Sequence, residues 1–405
     1  MRPAGWSFCF ALWLAVGAPV LAGDSFQPGS LSRERLQRAA EAAGFHAVSL
    51  AADLPAAARS RFDFNTFNYD DSSLEALRKE YPLDEVARGA RDEWTAQLRL
   101  KDWVFRQIPG GTPKSSPRTA SEILRLAAQG ERFWCTYYAI TYTQAAHALG
   151  WQARKIGVDR KHGPQGMGST HHGAVEIWSN QFRKWALIDA QSNLHFEKKG
   201  VPLSAWEVRA EWLKNGGSEV DHVVGAPPHA AKKNPAMVWP GPDADEIATY
   251  YWLYIDDHAA TPATGSRYIL LQDATNSGEI WYQNDSASGN GRLHIAYTKD
   301  LFLPTRRVED AYWTVGVVEA QVTAARDRVL YLSVDSYCPN RIEYQVSRDG
   351  VTWQSVKDPA SLEWPLKAGW NILRLRTMSR PAVTGPEASI AMYLQEGPGD
   401  ARPSP

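Results

Sequence analysis

A change of hydrophobic period partway along the 405-residue chain sets its fold class. From Ser30 to about Gln107, "LSRERLQRAAEAAGF" and "SSLEALRKEYPLDEVARGARDEWTAQLRLKDWVFRQI" place apolar residues at three- and four-residue spacings among charges, which predicts amphipathic helices. Beyond residue 245 the period becomes two, in "YYWLYIDD", "RYILLQD", "EIWYQND", "RLHIAYTKD", "VLYLSVDS", "IEYQVS", "NILRLRT" and "SIAMYLQ". Many short strands separated by turns predict an antiparallel β-sandwich. Asp349-Gly350, between "IEYQVSR" and "VTWQSV", is a hairpin signal.

The middle of the chain mixes both periods. "PGGTPKSSPR" breaks the helical region, and Thr119 with Glu122 in "TASEILRLAAQG" makes a capping box. An apolar helix, "CTYYAITYTQAAHALG", then opens on Cys135 and closes at Gly150. Three β-like runs follow: "ARKIGV", "HHGAVEIW" and "KWALIDA". Helices followed by strands give an α+β class. The expected organisation is a signal peptide at 1–22, a helical region at 23–110, an α+β core at 111–213, a Gly/Pro/Ala-rich linker at 214–245, a sandwich at 246–396 and a disordered tail at 397–405.

The signal peptide rests on Arg2, the apolar run "GWSFCFALWLAVG" and "VLA" at Val20 to Ala22. Gly23 follows, so the cysteine of a bacterial lipid anchor is missing and the mature chain is expected to be exported, periplasmic or secreted, without membrane insertion. A net charge of −1 with 22% charged residues points to no nucleic-acid partner. Of the 3 cysteines, Cys9 leaves with the signal. Cys135 and Cys338 fall in different expected domains, and the expectation is one reactive thiol and one isolated buried thiol.

A cysteine at a helix N-terminus faces unpaired N–H groups and the positive end of the dipole, both of which stabilise a thiolate. Nucleophilic catalysis then needs an imidazole in reach and a third group to orient it. His171 and His172 lie on "HHGAVEIW" and Asp189 on "KWALIDA". If these strands pair across "SNQFRK", a histidine and Asp189 can meet. The loop "DRKHGPQGMGST" ahead of the histidines reads as a lid or a plain solvated loop. A metal site from His171, His172, Glu176 and His195 has no supporting spacing, so no metal or cofactor is expected. Glu176 reads as an ion-pair partner, with Arg154 as the candidate; His147 and His195 read as ordinary partly buried or surface histidines. Most of the 17 tryptophans fall in periodic segments, where core packing is the default.

These residues carry a resemblance. "GERFWCTYYAITYTQAAHALGWQARKIGV", "HHGAVEIW" and "KWALID" together resemble the transglutaminase-like superfamily of papain-type cysteine enzymes over roughly Leu98 to Ala190. The upstream "LRLKDWVFRQIPGGTP" resembles the helix preceding the core in bacterial members, and "EWPLKAGWNILRLRT" resembles a hairpin of Ig- or fibronectin-type accessory domains. The chain departs from the pattern at Ala174 and Ala190, where the family often carries tryptophan and proline. By register the resemblance implies a triad of Cys135, His172 and Asp189, a papain-like core, and a thioester formed from an amide or peptide substrate, with cell-envelope material as one candidate. Water or an amine would resolve that thioester. A catalytically silent scaffold and a carbohydrate-binding protein are the alternative functions.

Overall fold

The computed structural model describes residues 29–62, 72–159, 171–227, 229–230, 252–256, 267–276, 302–380 and 382–397. The signal segment, the loop at 160–170, the strands expected at "EIWYQND" and "RLHIAYTKD", most of 231–251 and the tail from 398 lie outside the described residues.

The described chain opens with β1 (Gly29–Ser30), α1 (Arg33–Ala42) and β2 (Phe45–Asp53). Helices α2 (Ser72–Glu80), α3 (Leu83–Ala87), α4 (Glu93–Gln107), α5 (Ala120–Ala128) and α6 (Cys135–Ala148) follow. Next come β3 (Ala153–Asp159), β4 (His171–Ser179), β5 (Lys184–Ile188), β6 (Leu194–Lys198), β7 (Val201–Pro202), α7 (Ala205–Asn215), β8 (Asp221–Val224) and β9 (His229–Ala230). The C-terminal part holds β10 (Trp252–Asp256), β11 (Tyr268–Leu271), β12 (Phe302–Thr305), α8 (Val308–Ala311), β13 (Glu319–Arg326), β14 (Val329–Asp335) and β15 (Arg341–Ser347). It ends with β16 (Gln354–Ser355), β17 (Leu362–Pro365), β18 (Gly369–Ser379), β19 (Val383–Thr384) and β20 (Ala388–Glu396). The architecture is mixed α and β with several antiparallel sheets.

Local signals explain the helices around the site. Thr119 and Glu122 form the reciprocal capping box at the start of α5. In α6 every residue except Thr136 is buried, so this helix is a core element enclosed all round. Gly150, at φ 85°, takes the left-handed turn just beyond it.

A six-stranded sheet runs β12-β11-β10-β3-β4-β5, with β11 and β12 parallel and the other neighbours antiparallel. One face buries Val175, Ile177, Ala186 and Ile188 with helices α2 to α6. The other buries Ile156, Val158, Ala174, Leu187, Leu253 and Ile255. Strands β10 to β12 were expected in the sandwich; they instead extend this sheet, with Leu253 opposite Val158 and Tyr254 opposite Gly157. Gly157 is required there, because a Cβ would stand 2.0 Å from the Tyr254 ring. The physical reason lies in "WLYID", buried at every residue: a near-continuous apolar run suits a sheet covered on both faces.

A second difference lies at the N-terminus, where 23–110 was expected to be a mostly helical region. Strand β2 pairs with β20, Phe45 opposite Glu396, and completes the order β16-β15-β18-β20-β2, with β19 paired to β18. Strand β1 joins β13 in the sheet β1-β13-β14-β17. Leu36, Ala39 and Ala40 of α1 share one core with Leu330, Leu332, Leu373, Leu375 and Met392 from these two sheets. As an edge strand, β2 keeps most of its residues exposed, so its alternation is weak in sequence. The 214–245 segment is also not plain linker, since β8 and β9 belong to the sheet β7-β6-β8-β9. At Asp349-Gly350 the chain does turn between β15 and β16, with Gly350 at φ 78° and Asp349 Oδ1 accepting from Val351 N and Thr352 N.

Candidate active site

Cys135 is the first residue of α6, and its N-cap, Trp134, is extended and offers no side-chain cap. The preceding chain is pinned by a bridge between Gly110 and Phe133, with Phe133 N donating to Pro109 O and Gly111 N to Phe133 O, both at 2.9 Å. The helix start is therefore fixed in position, where the first-turn N–H groups have no partner one turn earlier within the helix. Strand β4 meets it closely. A Cβ built on Gly173 would lie 3.4 Å from Thr136 N and 3.5 Å from Cys135 Sγ, so β4 passes within van der Waals contact of the helix start.

His172 stands opposite Val158 on β3, and His171 opposite Asp159. The His172 ring donates from Nε2 to Asp189 Oδ2 at 3.0 Å, with both side chains buried. Asp189 lies just past β5, where it exchanges two 2.9 Å backbone hydrogen bonds with Leu194. Its carboxylate is further held by Ser192, whose N–H donates to Oδ1 at 3.1 Å and whose hydroxyl donates to Oδ2 at 2.7 Å. With Nε2 committed to Asp189, the other ring nitrogen, Nδ1, is buried and is the one left for the Cys135 thiol, which interacts with this imidazole. That leaves it as the atom able to take a proton from Cys135.

The electrostatics of the pair follow from burial and partners. Burial alone would push the His172 imidazole down, but the charge and hydrogen bond of Asp189, aided by Cys135, raise it well above its ordinary value. Burial would likewise push Asp189 up, yet His172 and Ser192 together hold it below the usual carboxylate range. The arrangement favours imidazolium beside carboxylate, which is the state that can stabilise a neighbouring thiolate.

Two further buried polar clusters surround this one. Arg154 and Glu176, paired across β3 and β4, meet at 2.5 Å with both side chains almost wholly buried. The guanidinium lies 4.1 Å from the Trp185 ring, 5.0 Å from Tyr312 and 4.6 Å from Trp313, and donates to Ala311 O. Glu176 Oε1 accepts from Ala205 N at 2.9 Å and from the Tyr312 hydroxyl at 2.8 Å. The second cluster is Lys101, His195 and Glu197. Lys101 Nζ lies 3.1 Å from His195 Nδ1, and His195 Nε2 lies 2.8 Å from Glu197 Oε1.

The structure thus brings Cys135, His172 and Asp189 to one place and gives His172, Glu176 and His195 of the metal alternative separate partners. His172 pairs with Asp189, Glu176 with Arg154 and His195 with Lys101 and Glu197. Among the described residues no group of three or more His, Cys, Asp or Glu could hold a metal ion. His147 and His195 are not the partly exposed histidines expected: both are fully buried, and burial lowers each to about 4. Cys135 and Cys338 form no disulfide, and burial pushes the Cys338 thiol up to about 11. Most described tryptophans are core residues; Trp134 and Trp370 are exposed. Sequence reasoning missed Ser192 and Lys101. Ser192 had a local signal, since a serine three residues after an aspartate is a common turn partner. Lys101 had none.

No protein-family model matches the chain, and no curated protein matches it. Among solved structures the chain is similar to the transglutaminase of red sea bream, at 9% sequence identity and a TM-score of 0.24, over 89% of this chain and 78% of that one.

Proposed function

We propose that this protein is a transglutaminase-like thiol enzyme that cleaves or transfers an amide or peptide acyl group. The Cys135 thiolate attacks the carbonyl carbon, and first-turn N–H groups of α6 stabilise the resulting oxyanion. The tetrahedral adduct collapses as His172 gives its proton to the leaving amine, with Asp189 keeping the imidazole in the productive tautomer. Water or an amine then attacks the thioester while His172 takes up the proton of the incoming nucleophile, and the thiol is regenerated. The observation that carries the reading is the buried His172–Asp189 pair, 3.0 Å apart, beside a cysteine at an uncapped helix start. The substrate class is protein or peptide material, with cell-envelope material as one candidate.

The test uses iodoacetamide labelling of Cys135 across pH in a Cys338→Ser background. Rapid labelling well below the free-thiol pKa of ~8.5, slowed sharply by His172→Ala, is the expected result. Labelling that rises only above that value and ignores His172 would favour a catalytically silent scaffold. With activity established, incorporation of a primary amine against release of ammonia separates transfer from hydrolysis.

A further inference from the structure

Lys101 is a lysine with no exposed surface, placed on α4 between apolar helices and the end of β5. An ammonium in such a position must find strong partners or give up its proton. Its partner is an imidazole. Glu197 accepts from His195 Nε2 at 2.8 Å, so Nδ1 carries the lone pair and Lys101 donates to it at 3.1 Å. Trp94 packs edge-on against that ring, with centroids 5.4 Å apart, and closes it from water. Glu197 is the outer end of the chain of three, and it lines a cleft of about 710 Å³ together with Trp94, Arg99 and Phe182.

The inner end reaches the triad. His195 directly follows Leu194, which is bonded through both backbone groups to Asp189. Burial acts most strongly on Lys101 and brings the amine down to about 7, against the charges of Asp189, Asp102 and Glu197. From α6, the phenols Tyr138 and Tyr142 stay protonated, Tyr138 at about 12 and Tyr142 well above its ordinary value, both through burial. The acids of α3 and α5 are engaged at the surface, Asp84 with Arg78, Glu85 with Arg88 and Glu122 in its capping box.

We propose that Lys101 is a positioning residue for the triad, a proton switch behind Asp189 that exchanges with the cleft through His195 and Glu197. The inference rests on reading Cys135, His172 and Asp189 as the triad. The relay balances as two moves: Nζ gives a proton to His195 Nδ1 as Nε2 gives its own to Glu197 Oε1, which releases it to water in the cleft. With the ammonium in place, Asp189 is partly neutralised and holds the imidazolium weakly. With the neutral amine, the whole carboxylate charge acts on His172, and the thiolate–imidazolium state is favoured.

The experiment is the pH profile of iodoacetamide labelling at Cys135 in the Cys338→Ser background, for the parent and for Lys101→Met, Glu197→Gln and His172→Ala. The parent should show a rise on the order of threefold on passing upward through neutral pH, the size of one unit charge acting through partly screened protein. Lys101→Met should abolish that step. Glu197→Gln should move it to lower pH, because the carboxylate no longer favours the ammonium; if Lys101→Met does not fold, this shift decides the matter. A parent without the step, a Lys101→Met profile that keeps it, or a Glu197→Gln step that stays in place each overturns the switch. Labelling that depends on His172 but on neither Lys101 nor Glu197 overturns the switch alone, whereas labelling indifferent to His172 removes the triad reading and the switch together.

Discussion

The six-stranded sheet beneath the helices and the pair of sheets built from β1, β2 and β13 to β20 use strands of opposite patterning. In the first, β10 and β11 are buried at every residue, and β3 at every residue but Lys155. In the second, β14, β18 and β20 alternate buried and less buried positions. The difference decides where charge can live. A strand covered on both faces gives its polar groups no route to water, so each must be partnered inside. The Arg154–Glu176 and His172–Asp189 pairs and the Tyr254 hydroxyl on Asp159 Oδ2 at 2.9 Å satisfy that requirement. In the alternating sheets the charges stand outward, as in Arg328–Glu396, where both side chains are 56% exposed. The candidate site sits in the sheet where a proton or charge, once placed, is weakly screened.

Asp189→Asn should give the largest effect, because it removes the one charge that orients and stabilises the His172 imidazolium. By analogy with other triads the rate of amide turnover should fall by about 10⁴, with little change in melting temperature. An Asp189→Asn protein at the parent's rate would detach the buried pair from the chemistry and break the contrast between the two regions. Arg154→Met comes next. It strands Glu176 in the interior, with only Ala205 N and the Tyr312 hydroxyl left to it. A loss of about 3–5 kcal/mol in urea denaturation is expected, much of it recovered in the Arg154→Met/Glu176→Gln double variant. A loss under about 1 kcal/mol would mean that Glu176 reaches water. Arg328→Ala should do least. Its exposed pair is worth under about 1 kcal/mol, and the shift in melting temperature should shrink further in high salt. A larger, salt-insensitive cost would show that the outer face of the alternating sheets also depends on fixed charges.

The parts of the site carried by local rules were legible. Thr119 with Glu122 marks the start of α5, and the break before Cys135 marks the start of α6. The spacing from His172 to Glu176 and the run ending at Asp189 describe two adjoining strands, and β4 and β5 do pair. Glu176 was expected as an ion-pair partner of Arg154, and the two stand opposite each other on β3 and β4. What escaped was the assignment of strands to sheets. A period of two identifies a strand but not its neighbour, and Phe45 finds its partner at Glu396, nearly the whole chain away. "YYWLYIDD" carried a usable clue in its unbroken apolar run, which alternation alone does not weigh.

Residue order and short-range chemistry were thus enough to mark the helices around the site and its strands β3, β4 and β5, while the choice of Cys135, His172 and Asp189 came from the family resemblance. They had no hold on α1 and β2 closing the C-terminal core, nor on Lys101 of α4 meeting His195 of β6. Periodicity and capping act over a few residues, whereas Lys101 meets its buried partner only when α4 and β6, far apart in sequence, pack together. A lysine in an amphipathic helix looks like a solvated one until the far side of its environment has been assembled.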